Sequence, residues 1–127
     1  MKELERKVLK HLQARKWDSV RPSDLAKSIM IEGAELLEIF QWENLSLEEI
    51  KKDKEKMGEI KRELADVLIY CIEMSVLLNF DTETIIRKKL ALAQKKYPAK
   101  LMRQRIGEPG TEGLYLQIKK AYRKNRK

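Results

Sequence analysis

Glu32, Glu35 and Glu38 follow one another at intervals of three, and Glu63 and Asp66 repeat that spacing further along the chain. Residues three apart in a helix share a face, so both carboxylates of a Glu-x-x-Glu or Glu-x-x-Asp pair can point at one spot. If the chain reverses near residue 49, midway between Glu35 and Glu63, two antiparallel arms climb equally at about 1.5 Å per residue and the pairs meet at one level. Glu32, Glu35, Glu63 and Asp66 would then converge. Gathered carboxylates repel one another and lose hydration, so they need a counter-charge. No lysine or arginine stands inside either run, and oxygen-only ligands favour Mg2+ or Mn2+ over zinc.

The competing reading of any single Glu-x-x-Glu is a solvated helix face. Helical projection argues against it. With Glu32 at the origin, Leu25, Ala26, Ile29, Met30, Gly33, Leu36, Leu37 and Phe40 occupy an arc from about 20° to 160°, the expected core stripe. The other side should be polar, yet Ile31, Ile39 and Trp42 stand there among Glu35 and Glu38. That face is expected to be covered as well, by another helix or another subunit. Asp66 is likewise flanked by Ala65, Val67, Ile69 and Tyr70. A ferritin-like di-iron site would need Glu-x-x-His pairs, and the lone His11 lies far from both clusters. One cysteine and one histidine exclude a Cys/His zinc site and an internal disulfide.

These carboxylates need helices to hold them. Leu4, Val8, Leu9 and Leu12 form one stripe of a first helix, from Lys2 to about Arg15. Pro22 opens a second, expected to run to Trp42, because proline is tolerated in a first turn. Ser46-Leu-Glu-Glu49 reads as a capping box starting a charged helical stretch, which Gly58 is expected to interrupt. A third long helix is expected from about Glu59 to Leu78. Asp81 is a natural N-cap for a fourth, which must end near Tyr97, before Pro98. Gly107 to Gly113 is the one Gly/Pro cluster, and a basic stretch follows from Leu114 to Lys127. No strand pattern or internal repeat is visible. The expected fold is all-α: a four-helix-bundle-like core of antiparallel helices over residues 1–99, with a basic C-terminal extension, 100–127, in an oligomer.

The 127 residues fit one domain and carry 28 Lys plus Arg against 20 Asp plus Glu, a net charge of +8. That excess suggests nucleic acid only until it is located. Residues 100–127 hold nine basic and two acidic side chains, whereas the first 99 hold 19 and 18. The extension is basic and the body is nearly balanced. With no apolar run approaching a membrane span and no signal-peptide stretch at Met1-Lys-Glu-Leu, the expected compartment is the cytoplasm.

Taken together, Glu32-x-x-Glu35, a spacer of 27 residues and Glu63-x-x-Asp66 resemble the motif of the all-α nucleoside triphosphate pyrophosphohydrolases. The wording Glu35-Leu-Leu-Glu-Ile-Phe-Gln-Trp42 with Glu63-Leu-Ala-Asp-Val-Leu-Ile-Tyr70 is similar to the MazG-like and dCTP pyrophosphatase branch, and Lys96-Tyr97-Pro98 resembles its closing motif. The likeness covers residues 17–98. It implies cleavage of the α–β phosphate bond of a nucleoside triphosphate, releasing monophosphate and pyrophosphate, in a homodimer or homotetramer. Glu32, Glu35, Glu63 and Asp66 would hold Mg2+ (or Mn2+), and Glu38 would orient or deprotonate water. Lys89, Lys96 and Tyr97 would contact phosphates. Trp17, Trp42 and Tyr70 would stack on or enclose the base, because aromatic faces are tolerant base platforms. Ala93 stands where relatives commonly have asparagine, and Val20-Arg21 where the dCTP type often has an aromatic followed by histidine. These departures touch base and sugar recognition more than metal binding. Two rival readings follow from charge alone: a module binding nucleic acid or an acidic partner through its tail, and a structural oligomer whose carboxylates merely pair with lysines.

Overall fold

A computed structural model describes residues 1–103 and 111–125. They form seven helices: α1 (Lys2–Ala14), α2 (Pro22–Glu38), α3 (Leu47–Lys52), α4 (Lys54–Leu77), α5 (Thr82–Lys96), α6 (Ala99–Arg103) and α7 (Thr111–Lys124). No strand occurs among the described residues, in line with the all-α expectation. The chain divides into two compact units, Met1–Thr82 and Glu83–Lys127.

In the first unit α4 is the central post. It packs most extensively against α2, also against α1, and near its start against the short α3. Val8 and Leu12 of α1 close with Ile72 of α4 into the buried core, joined by Val76 and Leu77. Leu25 of α2 is buried too. The core is small, and many large apolar side chains of α2 and α4 stay outside it.

Local chemistry sets the helix ends. The expected capping box is present: Glu49 N–H donates to Ser46 Oγ and Ser46 N–H to Glu49 Oε1, both at 3.2 Å. Helix α4 begins five residues earlier than expected, because the Asp53 side chain accepts from the Lys56 N–H at 3.0 Å and caps it. Gly58 therefore lies inside α4 without breaking it; this glycine costs about 1 kcal/mol relative to alanine, which packing against α2 offsets. At the other end of α2 the helix stops at Glu38 rather than Trp42. Phe40 N–H donates to Leu37 O and Gln41 N–H to Glu38 O, so tighter i→i−3 turns replace the α-helical ladder there. The Lys56 ammonium meets the Glu43 carboxylate at 2.6 Å and ties this turn to α4.

Two Schellman closures shape the ends of α1 and α4. Trp17 N–H donates to Leu12 O at 2.9 Å and Lys16 N–H to Gln13 O at 3.1 Å, with Lys16 at φ 57°. Phe80 N–H donates to Ser75 O and Asn79 N–H to Val76 O, with Asn79 at φ 59°. Both pairs are the 6→1 and 5→2 bonds of the motif. The first turns the chain so that the Trp17 ring meets His11 edge-on, centroids 5.9 Å apart.

The expected core stripe of α2 needs correction. Leu25, Ile29, Gly33, Leu36 and Phe40 are buried or half-buried, but Met30 is 73% and Leu37 66% exposed. Ser28, Glu32 and Ile39 are half-buried in their place. The packed face is thus rotated by about 60° from the expected one, at 100° per residue, and Glu32 stands near its middle. Ile31 and Trp42, on the far side, are 59% and 87% exposed, so no helix of the first unit covers them.

In the second unit the Lys96 ammonium lies over two tyrosine rings, 5.4 Å from the Tyr97 centroid and 4.7 Å from that of Tyr122. Helix α7 starts at Thr111, within the Gly/Pro cluster; residues 107–110 of that cluster lie outside the described residues. No helix among the described residues is long and apolar enough to cross a membrane.

Candidate metal and nucleotide site

The α2–α4 pair brings the carboxylates together. Oxygens of Glu32, Glu63 and Asp66 all lie within 4.8 Å of one another. Glu32 Oε2 and Glu63 Oε2 are buried and have no hydrogen-bond partner. Two orphaned carboxylate oxygens between packed helices are unfavourable unless something positive reaches them. The donor set, all oxygen and more negative than its surroundings, fits a hard divalent cation.

Glu35 completes the group. A hydrogen bond with Glu32 is the main reason its carboxyl titrates above the usual range, with the Glu32 charge adding to the effect, while a hydrogen bond to Glu63 acts the other way. Glu63 is also pushed up, first by desolvation and then by the Glu35 charge; the neighbouring Arg62 guanidinium pulls it down slightly.

Glu38 lines a cavity of about 520 Å3 beside the cluster, with Glu35, Glu59, Arg62 and Glu63. Arg62 is the cationic neighbour that the sequence reading passed over; it stands immediately before Glu63 and points into the same cavity.

On the opposite side of the cluster lies a cavity of about 430 Å3 to which Trp17, Ser28, Tyr70 and Glu73 contribute. Each step along α2 is matched by an equal step back along α4: Leu25 is level with Glu73, Ser28 with Tyr70, Glu32 with Asp66, and Glu35 with Glu63. The aromatic cavity is therefore displaced from the carboxylates by four residues on both helices, about 6 Å.

Of the other residues singled out from sequence, one belongs to the first unit and three to the second. Trp42 projects from the turn after α2, almost fully exposed. Lys89, exposed on α5, and Lys96 and Tyr97 belong to the second unit. Glu73 was missed, although Tyr70-x-x-Glu73 repeats the three-residue spacing that marked the other acids.

A profile of the MazG-like family matches residues 27–106. The chain is also similar to the crystal structure of a pyrophosphatase from Archaeoglobus fulgidus DSM 4304, with 37% identity and a TM-score of 0.68 over 77% of this chain and 92% of that one. No curated protein matches it. The family match spans well over half of the chain and contains every carboxylate of the cluster. This chain belongs to the MazG-like family, and it is a hydrolase of the all-α nucleoside triphosphate pyrophosphohydrolase superfamily, acting on nucleotide pyrophosphate bonds.

Proposed function

We propose that the protein cleaves the α–β phosphate bond of a nucleoside triphosphate, or of its deoxy form, to the monophosphate and pyrophosphate. The observation that carries this reading is the convergence of Glu32, Glu63 and Asp66 oxygens within 4.8 Å, two of the carboxylates holding an orphaned buried oxygen. Glu32, Glu35, Glu63 and Asp66 would hold Mg2+, with Mn2+ as a substitute. When bound, the metal neutralises phosphate oxygens and lowers the pKa of a water. The chain's own carboxylates do the rest. Glu38, in the cavity next to Glu35 and Glu63, orients the attacking water and takes its proton as the anhydride P–O bond breaks and pyrophosphate departs. Arg62 offers the same cavity a positive charge for a phosphate oxygen. Trp17 and Tyr70 flank the base in the aromatic cavity. Lys89, Lys96 and Tyr97 contribute phosphate contacts, and Trp42 closes over the nucleotide.

Exposure in the isolated chain supports a homo-oligomer. Met30, Ile31, Leu37 and Trp42 on α2 and its following turn, with Leu64, Leu68 and Ile69 on α4, are large apolar side chains left open. A second copy seated on them would bury the face carrying Asp66 and would form a homodimer or homotetramer. The work proposed is removal of unwanted nucleotides from the cytoplasmic pool.

The test is a panel of ribo- and deoxynucleoside triphosphates incubated with Mg2+ and followed by 31P NMR. Monophosphate and pyrophosphate in equal amounts from at least one substrate are expected. Release of inorganic phosphate with diphosphate instead, or no turnover across the panel by folded, Mg2+-loaded protein, would overturn the reading.

A further inference from the structure

Glu73 is the acidic side chain that the proposed reaction leaves unused, yet it is 93% shielded, with only 7% of its surface open. Burial drives its carboxyl above the ordinary range, and the His11 charge offsets this only in part. It makes no hydrogen bond or ion pair with another described residue. Its neighbours in the cavity explain what a carboxyl could do there: Trp17 and Tyr70 supply aromatic faces, and Ser28 a hydroxyl. Desolvating a carboxyl group costs stability, so an apolar residue at this position would serve stability better. The cavity opens one helical step from the carboxylate cluster, the span a sugar bridges between a base and its first phosphate.

We propose that Glu73 is the specificity-determining residue of this hydrolase, its carboxyl hydrogen-bonding the pairing edge of a nucleobase held between Trp17 and Tyr70. The inference rests on the pyrophosphohydrolase reading for the placement of the phosphates, but the base site itself stands on the cavity and its buried acid. The oxygens of a carboxyl group accept hydrogen bonds. They match a base edge that carries an N–H donor, as N3–H of uracil, the N4 amino group of cytosine, the N6 amino group of adenine and N1–H of guanine do. A base blocked at that edge leaves the acid unpaired in a desolvated cavity, and discrimination follows from that penalty rather than from shape.

Free nucleosides contain no phosphate to cleave and need no metal, so their binding separates this inference from the reaction. The experiment titrates the full chain, without divalent ions, with the common ribo- and deoxynucleosides and with the uncharged edge-methylated analogues 3-methyluridine, N4,N4-dimethylcytidine, N6,N6-dimethyladenosine and 1-methylguanosine, following tryptophan fluorescence. Wild type is expected to rank the unmodified bases and to bind the edge-methylated analogue of its best base at least 10-fold more weakly. E73Q, whose amide oxygen still accepts a hydrogen bond, should keep the same preferred base. E73L should lose about 10- to 100-fold in affinity for the best nucleoside, the range expected when one buried hydrogen-bond partner is removed, and should flatten the ranking. E73M serves in its place if E73L does not fold. An unchanged ranking and affinity in folded E73L or E73M would overturn the proposal, as would wild type that binds no nucleoside. Failure of the hydrolase reading would appear separately, as absent pyrophosphate release.

Discussion

Replacing Asp66 by asparagine is the cleanest way to ask whether the carboxylates form a metal site or merely an acidic surface. Asp66 is exposed, so the change removes a charge without opening a cavity, and α4 keeps its packing against α2 and α1. A cation bound only by the native state stabilises it by RT ln(1 + [L]/Kd), about 2.7 kcal/mol at one hundred times Kd. For a chain of this length that is about 10 °C in melting temperature. Asp66 supplies one of three oxygens that converge within 4.8 Å. Losing a direct ligand weakens metal binding by at least the roughly 10- to 100-fold typical of second-shell partners. At the same Mg2+ concentration a 100-fold loss leaves [L] near Kd and the stabilisation near 0.4 kcal/mol, or ~1–2 °C. Without metal the order reverses: D66N should melt at or above wild type, because one of the crowded negative charges is gone. Differential scanning calorimetry with EDTA and with Mg2+ measures both arms. Equal Mg2+-induced shifts in wild type and D66N would refute the assignment, and a D66N variant that is less stable in EDTA would mean Asp66 has a structural partner instead.

Further outcomes follow from the same geometry. Glu35 and Glu63 titrate above the usual carboxyl value of 4.5 in the folded chain, so their protonated forms stabilise it below that value. Metal-free stability should therefore fall as pH rises from 4.5 through their raised values, and Mg2+ should restore it near neutrality; a pH series of melts with and without Mg2+ checks the sign, and metal-free stability that increases over this window would contradict it. Lys16 adopts φ 57°, a conformation that costs a non-glycine residue about 1–2 kcal/mol, so K16G should gain about 0.5–1 kcal/mol after its own entropic cost, read in urea unfolding. Replacing exposed Leu37 and Trp42 by aspartate should leave the first unit folded but lower the sedimentation mass to that of one chain; an unaltered mass would show that this face is not where copies meet.

Much of the fold was legible because several sequence signals have one local cause. Ser46 and Glu49 are sufficient for a capping box, and the Glu-x-x-Glu and Glu-x-x-Asp pairs needed only helical spacing and an antiparallel return. The missed boundaries also have local causes, but weaker ones. Asp53 caps α4 through a single bond to Lys56 N–H, a signal that competes with many other exposed aspartates, and the i→i−3 turns after Glu38 leave no mark in residue type. The rotated face of α2 has a different origin. Hydrophobicity put the core under Met30 and Leu37, whereas the packed face has Glu32 in the contact with α4, so Met30 and Leu37 are left outside it. Glu73 stayed invisible for a related reason: only its burial separates it from the many glutamates of a helix surface, and burial is set by α1 and by the turn that carries Trp17.

The basic excess of the chain lies in residues 100–127. The second unit also places Lys96 over Tyr97 and Tyr122, while the carboxylate cluster belongs to the first. The products that leave the active site identify the bond that is cut. In water enriched in 18O, with Mg2+ and the best substrate of the panel, one heavy oxygen should enter the monophosphate or the pyrophosphate, the two products should appear in equal amounts, and E63Q should abolish their formation while remaining folded. Undiminished product formation by E63Q, or heavy oxygen appearing only in inorganic phosphate, would contradict it.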